Sequence, residues 1–340
     1  SGTCSVTATK AADGNYNAVS SDTASVTLNK AASTILITSD AADPSEFGET
    51  FTISVSITGP GGTPTGTVEL SDCSNSCPIT LSGGIGSCDL TTTRVDTITL
   101  TATYSGDNNF ESSSSTDSHT GVLGHTQVTL IDHQPDPSSQ GEPVAFQVTV
   151  APVAPASGTP SGTMDVMLGQ TILCSGTLSA SQASCSYTGL TPGHHTLTAR
   201  YRGDTSFASS VSTSFDQTVY SIELDDTQTS TNFTPVGNLT TSGGTAPYTY
   251  RLQTSGRICT ASNGAGNTSF TINGTVLERK ATTGSGTYRV CIESQDSASK
   301  IVQKAFSITI NNPPTLDNRS LSHLAIEIPE TEVGSLTVIG

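Results

Sequence analysis

Tryptophan is absent from the 340 residues, aromatic residues are only 5% and charged residues only 12%. No apolar run approaches the ~18–20 residues a membrane-crossing helix needs, so no such helix is expected. Positive charge is scarce as well: 13 basic residues face 29 acidic ones, a net charge of −16. Lys10, Lys30, Lys280, Lys300 and Lys304 are scattered, so the basic patch that phosphate recognition requires is missing. Nucleic acid is excluded as a partner and an anionic membrane surface is disfavoured. The acidic balance reads as solubility.

What the chain has instead is hydroxyl side chains, with 49 Ser and 57 Thr, together with 32 Gly and 16 Pro. Ser and Thr compete for backbone hydrogen bonds and β-branched Thr favours strands, which excludes a long helical bundle or coiled coil. Hydroxyl- and Gly-rich chains often stay disordered, but the pattern here argues otherwise. Thr52-Ile-Ser-Val-Ser-Ile-Thr58 and Val144-Ala-Phe-Gln-Val-Thr-Val150 alternate apolar with polar at the strand period of two. Pro, Gly, Asp and Asn cluster between such segments, as turns require. The expectation is all-β.

Self-similarity sets the architecture. Leu100-Thr-Ala-Thr-Tyr-Ser-Gly-Asp-Asn-Asn-Phe110 matches Leu197-Thr-Ala-Arg-Tyr-Arg-Gly-Asp-Thr-Ser-Phe207, and Thr63-Pro-Thr-Gly-Thr-Val68 matches Thr159-Pro-Ser-Gly-Thr-Met164. Val6-Thr-Ala-Thr-Lys-Ala-Ala-Asp-Gly-Asn-Tyr16 is a weaker third copy, with Asp13 and Tyr16 in the acidic and aromatic places. A period near 95 residues suits one seven-stranded sandwich per repeat.

The eight cysteines show no zinc spacing: Cys73-Ser-Asn-Ser-Cys77 has no nearby histidine. Cys77 and Cys88 are eleven apart, as are Cys174 and Cys185, so they read as one hairpin staple used twice. Cys259 and Cys291 are expected to form a third bridge. Disulfides place the chain in an oxidising, extracytoplasmic setting. Cys4 and Cys73 are left over, as a pair, as partners of residues outside the sequence, or as intermolecular links.

The L-T-A-x-Y-x-G-D-x-x-F signature, with the T-P-x-G-T strand before it, resembles the bacterial Ig-like repeats of large secreted and cell-surface proteins. Gly244-Thr-Ala-Pro-Tyr-Thr-Tyr250, Gly286-Thr-Tyr-Arg-Val-Cys-Ile-Glu-Ser-Gln-Asp-Ser297 and Phe306-Ser-Ile-Thr-Ile310 resemble instead the Ig and cadherin-like domains of bacterial surface proteins. The resemblance implies tandem Ig-like β-sandwich domains. Residues 1–31 are the closing strands of one domain, 32–124 and 125–219 are two repeats, 220–312 is a cadherin-like domain, and 313–340 open another. Partial domains at both ends leave strand edges to be paired, by neighbouring domains of a longer chain or head-to-tail by a second copy. The function so implied is a structural stalk or fibre segment of a surface adhesin or extracellular filament, facing a host or neighbouring cell. The alternative is a glycan-binding or spacer module of a secreted hydrolase, weakened by the lack of Trp.

Chemistry is sparse. There is no G-x-S-x-G and no H-E-x-x-H, so no catalytic residue is nominated and the chain is expected not to be an enzyme. Most of the histidines, at 119, 125, 133, 194, 195 and 323, are expected in linkers or turns, and His194-His195 is weighed as a metal pair and disfavoured. Asp40, Asp43 and Glu46 read as solvated surface acids. Arg202-Gly-Asp204 spells an adhesive tripeptide, but Ser105-Gly-Asp107 at the same place in the previous repeat makes Gly-Asp turn structure. Five lysines in polar or terminal positions disfavour isopeptide cross-links. The cadherin-like resemblance implies calcium as the one ligand to test, held by Glu330, Asp296 and Asn311, although Asn311-Asn-Pro-Pro lacks the usual acidic joint residues. Sequons at Asn232, Asn238, Asn267, Asn273 and Asn318 are candidate glycosylation sites, several of them arising by chance in so Thr-rich a chain.

Overall fold

The computed structural model describes residues 2–72, 74–230 and 234–312. Among them every element is a strand except one short 3-10 helix at Asn267–Ser269. Alternation explains why. In the strand Thr50–Thr58, Phe51, Ile53, Val55 and Ile57 are buried while the intervening hydroxyl residues face outward. Each such apolar side chain contributes roughly 1.5–3 kcal/mol when taken out of water.

The chain divides into two compact units. The first comprises Ser1–Pro135, Pro143–Tyr187 and His195–Gln217, and the second comprises Asp136–Glu142, Thr188–His194 and the chain from Thr218 onward. These units do not follow the repeat boundaries read from the sequence: residues 32–124 and most of 125–219 fall together, and two short segments of the second repeat group with the later residues.

Within the first unit, residues 32–124 form a β-sandwich. One sheet has the order Ile85–Thr91, Thr50–Thr58, Thr34–Ala41, and the other Ser45–Glu46, Ser113–Val122, Thr97–Tyr104, Thr67–Ser71, Ser76–Thr80. The core between them includes Phe51, Leu70, Leu100, Tyr104 and Phe110. The following repeat copies this plan around Val144, Phe146, Met164, Leu197, Tyr201 and Phe207. Even the irregularities repeat: the first strand shifts register at Ile37/Ser39 in one copy and at Leu130/Asp132 in the other. In the second unit a third core gathers Tyr220, Ile222, Phe270, Leu277, Val290, Ile292 and Ile308, from the strands Phe215–Leu224, Phe270–Asn273 and Val276–Arg279 on one side and a separate four-stranded sheet on the other.

The G-D-x-x-F signature is a turn held by its own acid. Asp107 Oδ1 accepts the backbone N–H groups of Asn109 and Phe110, and its Oδ2 accepts both the N–H and the hydroxyl of Thr65. Asp204 does the same with Ser206, Phe207 and Ser161. Asp13 holds Asn15 and Tyr16 in the weaker copy. These hydrogen bonds to the charged form hold all three carboxyls below the usual carboxylate range. The preceding Gly106 and Gly203 have φ of +84° and +86°, and a Cβ there would lie about 3 Å or less from the carbonyl of Phe110 or Phe207.

Residues 2–28 form two small hairpins, Gly2–Val6 with Ala24–Leu28 and Thr9–Lys10 with Val19–Ser20, and bury none of their side chains. Cys4 lies opposite Val26, Val6 opposite Ala24 and Gly2 opposite Leu28, so one face of the ribbon is apolar and uncovered.

Candidate functional site

All three expected disulfides form: Cys77–Cys88, Cys174–Cys185 and Cys259–Cys291. The first two differ from simple hairpin staples. Cys77 lies on the edge strand of one sheet and Cys88 on the edge strand of the other, and Cys174 and Cys185 repeat this. Each bridge therefore ties the two layers of its sandwich together along one open side. Cys4 is free and exposed, and Cys73 lies outside the described residues.

Of the residues nominated for calcium, Asp296 and Asn311 do not converge. Asp296 sits in the turn between the strands Gly286–Gln295 and Ile301–Asn311, and Asn311 ends the second of these. Ten residues of strand separate Ile301 from Asn311, about 33 Å at 3.3 Å per residue. Asp296 is also fully engaged, accepting hydrogen bonds from the Tyr220 hydroxyl at 2.6 Å, Thr245 N and Lys300 N. Glu330 lies outside the described residues. Of the sequons, Asn232 and Asn318 also lie outside them. Asn267 is buried, with its amide bonded to Gln253 and Cys291, so it is closed to modification in the folded state. Asn238 donates to Asp225, and Asn273 is exposed beside a hairpin turn. The adhesive tripeptide is used internally, since Asp204 holds its own turn and Arg202 pairs with Asp165. His194 hydrogen-bonds Thr218.

The chemistry lies elsewhere, in the loop Asp43-Pro-Ser-Glu-Phe-Gly-Glu49, which carries the chain from the first sheet to the second. Ser45–Glu46 pairs in parallel with Gly121–Val122. Glu49 accepts the N–H of Glu46 at 2.7 Å and closes the loop. Beneath it lies a polar cluster. His119, fully buried in the strand Ser113–Val122, stacks on Phe51 with ring centroids 3.7 Å apart. Its Nε2 meets Ser45 Oγ at 2.7 Å, and Ser45 also contacts the Thr92 hydroxyl. Its Nδ1 lies 3.3 Å from Asp40 Oδ2 and 3.8 Å from Asp43 Oδ1, and the latter oxygen accepts Thr120 N.

His119 is thus not a linker histidine, and Asp40 and Asp43, the second of them still exposed, both face its ring. Ser45, His119 and Asp40 follow the order of a hydrolytic triad, but Ser45 is 0% exposed, so its oxygen cannot reach a substrate.

Above the loop is the joint to the next repeat. Glu46 accepts the side chain and the backbone N–H of His125, at 2.5 and 3.0 Å. Phe47 packs edge-on against Phe207 with centroids 5.4 Å apart. Ser157 donates its hydroxyl to the carbonyl of Gly48 at 2.7 Å, and a Cβ on Gly48 would strike the Ser157 carbonyl. A further buried group is found on the second repeat alone, where Asp165 receives Arg200, Arg202 and Ser175. These guanidinium partners hold its carboxyl well below the usual range.

Residues 37–122 and 131–220 each match the family model of the bacterial Ig-like domain (group 3), together just over half of the chain. The chain belongs to that family. The Ig-like matches end at residue 220. No curated protein matches the chain. Among solved structures, it is similar to the fibronectin(III)-like modules of Clostridium thermocellum CbhA at 16% identity, covering 55% of this chain and 93% of that chain, with a TM-score of 0.24. An I-band fragment of titin is 11% identical over 84% of this chain and 97% of its own, with a TM-score of 0.29. A Ca²⁺-stabilized adhesin of an Antarctic bacterium is 18% identical over 91% and 81%, with a TM-score of 0.23. The family assignment rests on the repeat matches, and the sandwich fold on them and on the strand order.

Proposed function

We propose that this chain is an extracellular structural segment, a spacer within a secreted or surface-displayed bacterial adhesin or filament. One observation carries the reading: the side chains at the joint between the two family repeats are committed to one another. Glu46, Phe47 and Gly48 face His125, Phe207 and Ser157, so the groups with most chemical potential hold successive domains together instead of facing a ligand. Disulfides joining the two layers of each repeat support an oxidising location. Tyr16 is the one large aromatic exposed among the described residues, which leaves little for a sugar-stacking platform and disfavours the glycan-binding alternative.

The apolar face of residues 2–28 supports association with strands of a neighbouring domain, either in a longer chain or head-to-tail in a second copy. Light-scattering mass of the isolated chain separates these, with a monomer ruling out the second.

The decisive experiment replaces residues 32–219, in the surface protein that carries them, with unrelated Ig-like domains of equal number. Spacer function predicts that attachment survives replacement and fails on deletion. Loss of attachment on replacement, or specific binding on a glycan array, would overturn it.

A further inference from the structure

The cluster beneath the loop holds two carboxylates on one buried imidazole. Among the described residues no lysine or arginine pairs with Asp40 or Asp43. The second repeat treats the same positions differently. His133 stands where Asp40 does and Gln217 where His119 does, and they make a hydrogen bond of 3.0 Å, with Gln217 also donating to the Pro135 carbonyl. Asp136, the counterpart of Asp43, has Lys300 at 3.7 Å. There the acid has a basic neighbour and the part-buried pair of His133 and Gln217 contains no carboxylate. In the first repeat the positive charge is missing.

The geometry supplies a place for one. Zinc bound at about 2.0–2.2 Å in tetrahedral geometry sets its ligand atoms about 3.4 Å apart. His119 Nδ1 lies 3.3 and 3.8 Å from the two carboxylate oxygens, and the three ligand atoms lie within 4.8 Å of one another. The closer contact is longer than the ~2.7–2.9 Å of a charged N–H···O⁻ bond. The other ring nitrogen is placed as a metal-bound histidine's is: Nε2 lies 2.7 Å from Ser45 Oγ, which also contacts the Thr92 hydroxyl, and the tautomer that donates from Nε2 to Ser45 turns the Nδ1 lone pair to the acids. Phe51 fixes the ring plane. Asp43 is half-exposed, giving an entry path and a position for water.

We propose that Asp40, Asp43 and His119 form a divalent-cation site of zinc type, with water completing the coordination. Such an ion ties the first strand and the last strand of the repeat to the loop that bears Glu46, Phe47 and Gly48. It would make the joint above it stiffer when metal is present.

The test uses the tag-free full chain, stripped with chelator and titrated with Zn²⁺, with Co²⁺ as spectroscopic reporter and Ca²⁺ as control. The expected result is one tight Zn²⁺ per chain, a raised melting midpoint and the visible absorption of four-coordinate Co²⁺, with no comparable response to Ca²⁺. His119→Gln installs the residue found at the same place in the second repeat and should abolish the tight site. Asp40→Asn, which preserves shape, should weaken it at least tenfold while leaving the circular dichroism of the metal-free chain unchanged. Equal Zn²⁺ binding by the parent and both variants would mean scattered surface acids. No binding at 100 µM Zn²⁺ would mean a hydrogen-bonded histidine alone. Either result overturns the proposal.

Discussion

The two family repeats use one loop in two ways. Asp43-Pro-Ser-Glu-Phe-Gly-Glu49 and Asp136-Pro-Ser-Ser-Gln-Gly-Glu142 share the same skeleton. In both, the last glutamate accepts the N–H three residues back, and the residue before glycine donates its N–H to the final strand. The outward positions differ. The first loop offers Glu46 and Phe47, which meet a histidine and an aromatic ring. The second offers Ser139, which donates to the Gln303 carbonyl, while its frame residues Glu142 and Asp136 pair with Arg257 and Lys300. The frame is dictated by backbone geometry, so it repeats. The contact residues are dictated by whatever they face, so they do not.

Substitutions can break this comparison, and the largest contrast between the repeats is expected on the face unique to the second. Asp165→Ala removes the buried acceptor of Ser175 and of two partly exposed guanidinium groups, whose charges solvent then screens, and should destabilise by about 2 kcal/mol. Glu69→Ala at the matching exposed position of the first repeat should stay within about 0.5 kcal/mol. Denaturant unfolding of both variants measures the contrast.

The disulfides sharpen it from the other side, because they are shared. Replacing Cys77 and Cys88 by Ser, or Cys174 and Cys185, should cost about 3 kcal/mol in either repeat. A large inequality would mean that the two bridges do different work.

At the joint, Phe47→Ala should cost about 1–2 kcal/mol through the lost edge-to-face contact and its buried area. Gln140→Ala should cost much less, a difference readable from their melting midpoints. His125→Ala removes an exposed partner of Glu46 and should cost no more than about 1 kcal/mol.

Acid probes the feature common to both repeats. The lowered carboxyls of Asp107 and Asp204 contribute stability that is present above the unfolded pKa near 4 and is lost as pH falls toward their folded values. Asp107→Asn and Asp204→Asn should each flatten the stability profile below pH 4, Asp107→Asn the more strongly, which melting curves from pH 7 to 2 will show.

Much of this was legible in the sequence because it is local. Alternation gave the strands, and Asp107 and Asp204 announced a turn because their partners lie two and three residues away. Equal spacing gave the cysteine pairs, although spacing could not say that each bridge crosses between sheets. The polar cluster was hidden because His119 is separated from Asp40 by 79 positions and meets it only when the first and last strands converge. One signal was available: the shared Asp-Pro-Ser at 43 and 136, with a histidine on the first strand in one copy and on the last strand in the other. Two of the residues nominated for calcium are kept apart for the converse reason. Asp296 and Asn311 are close in sequence, but a single long strand holds them apart.

The bridges between sheet edges also set a ruler. If such a chain is drawn out from its ends, the residues between Cys77 and Cys88, or between Cys174 and Cys185, stay looped and do not lengthen. Each oxidised repeat therefore withholds eleven residues of contour, roughly 35–40 Å at full extension, and gives it up only on reduction. Redox state thereby determines how far a segment of this kind reaches once it has begun to yield.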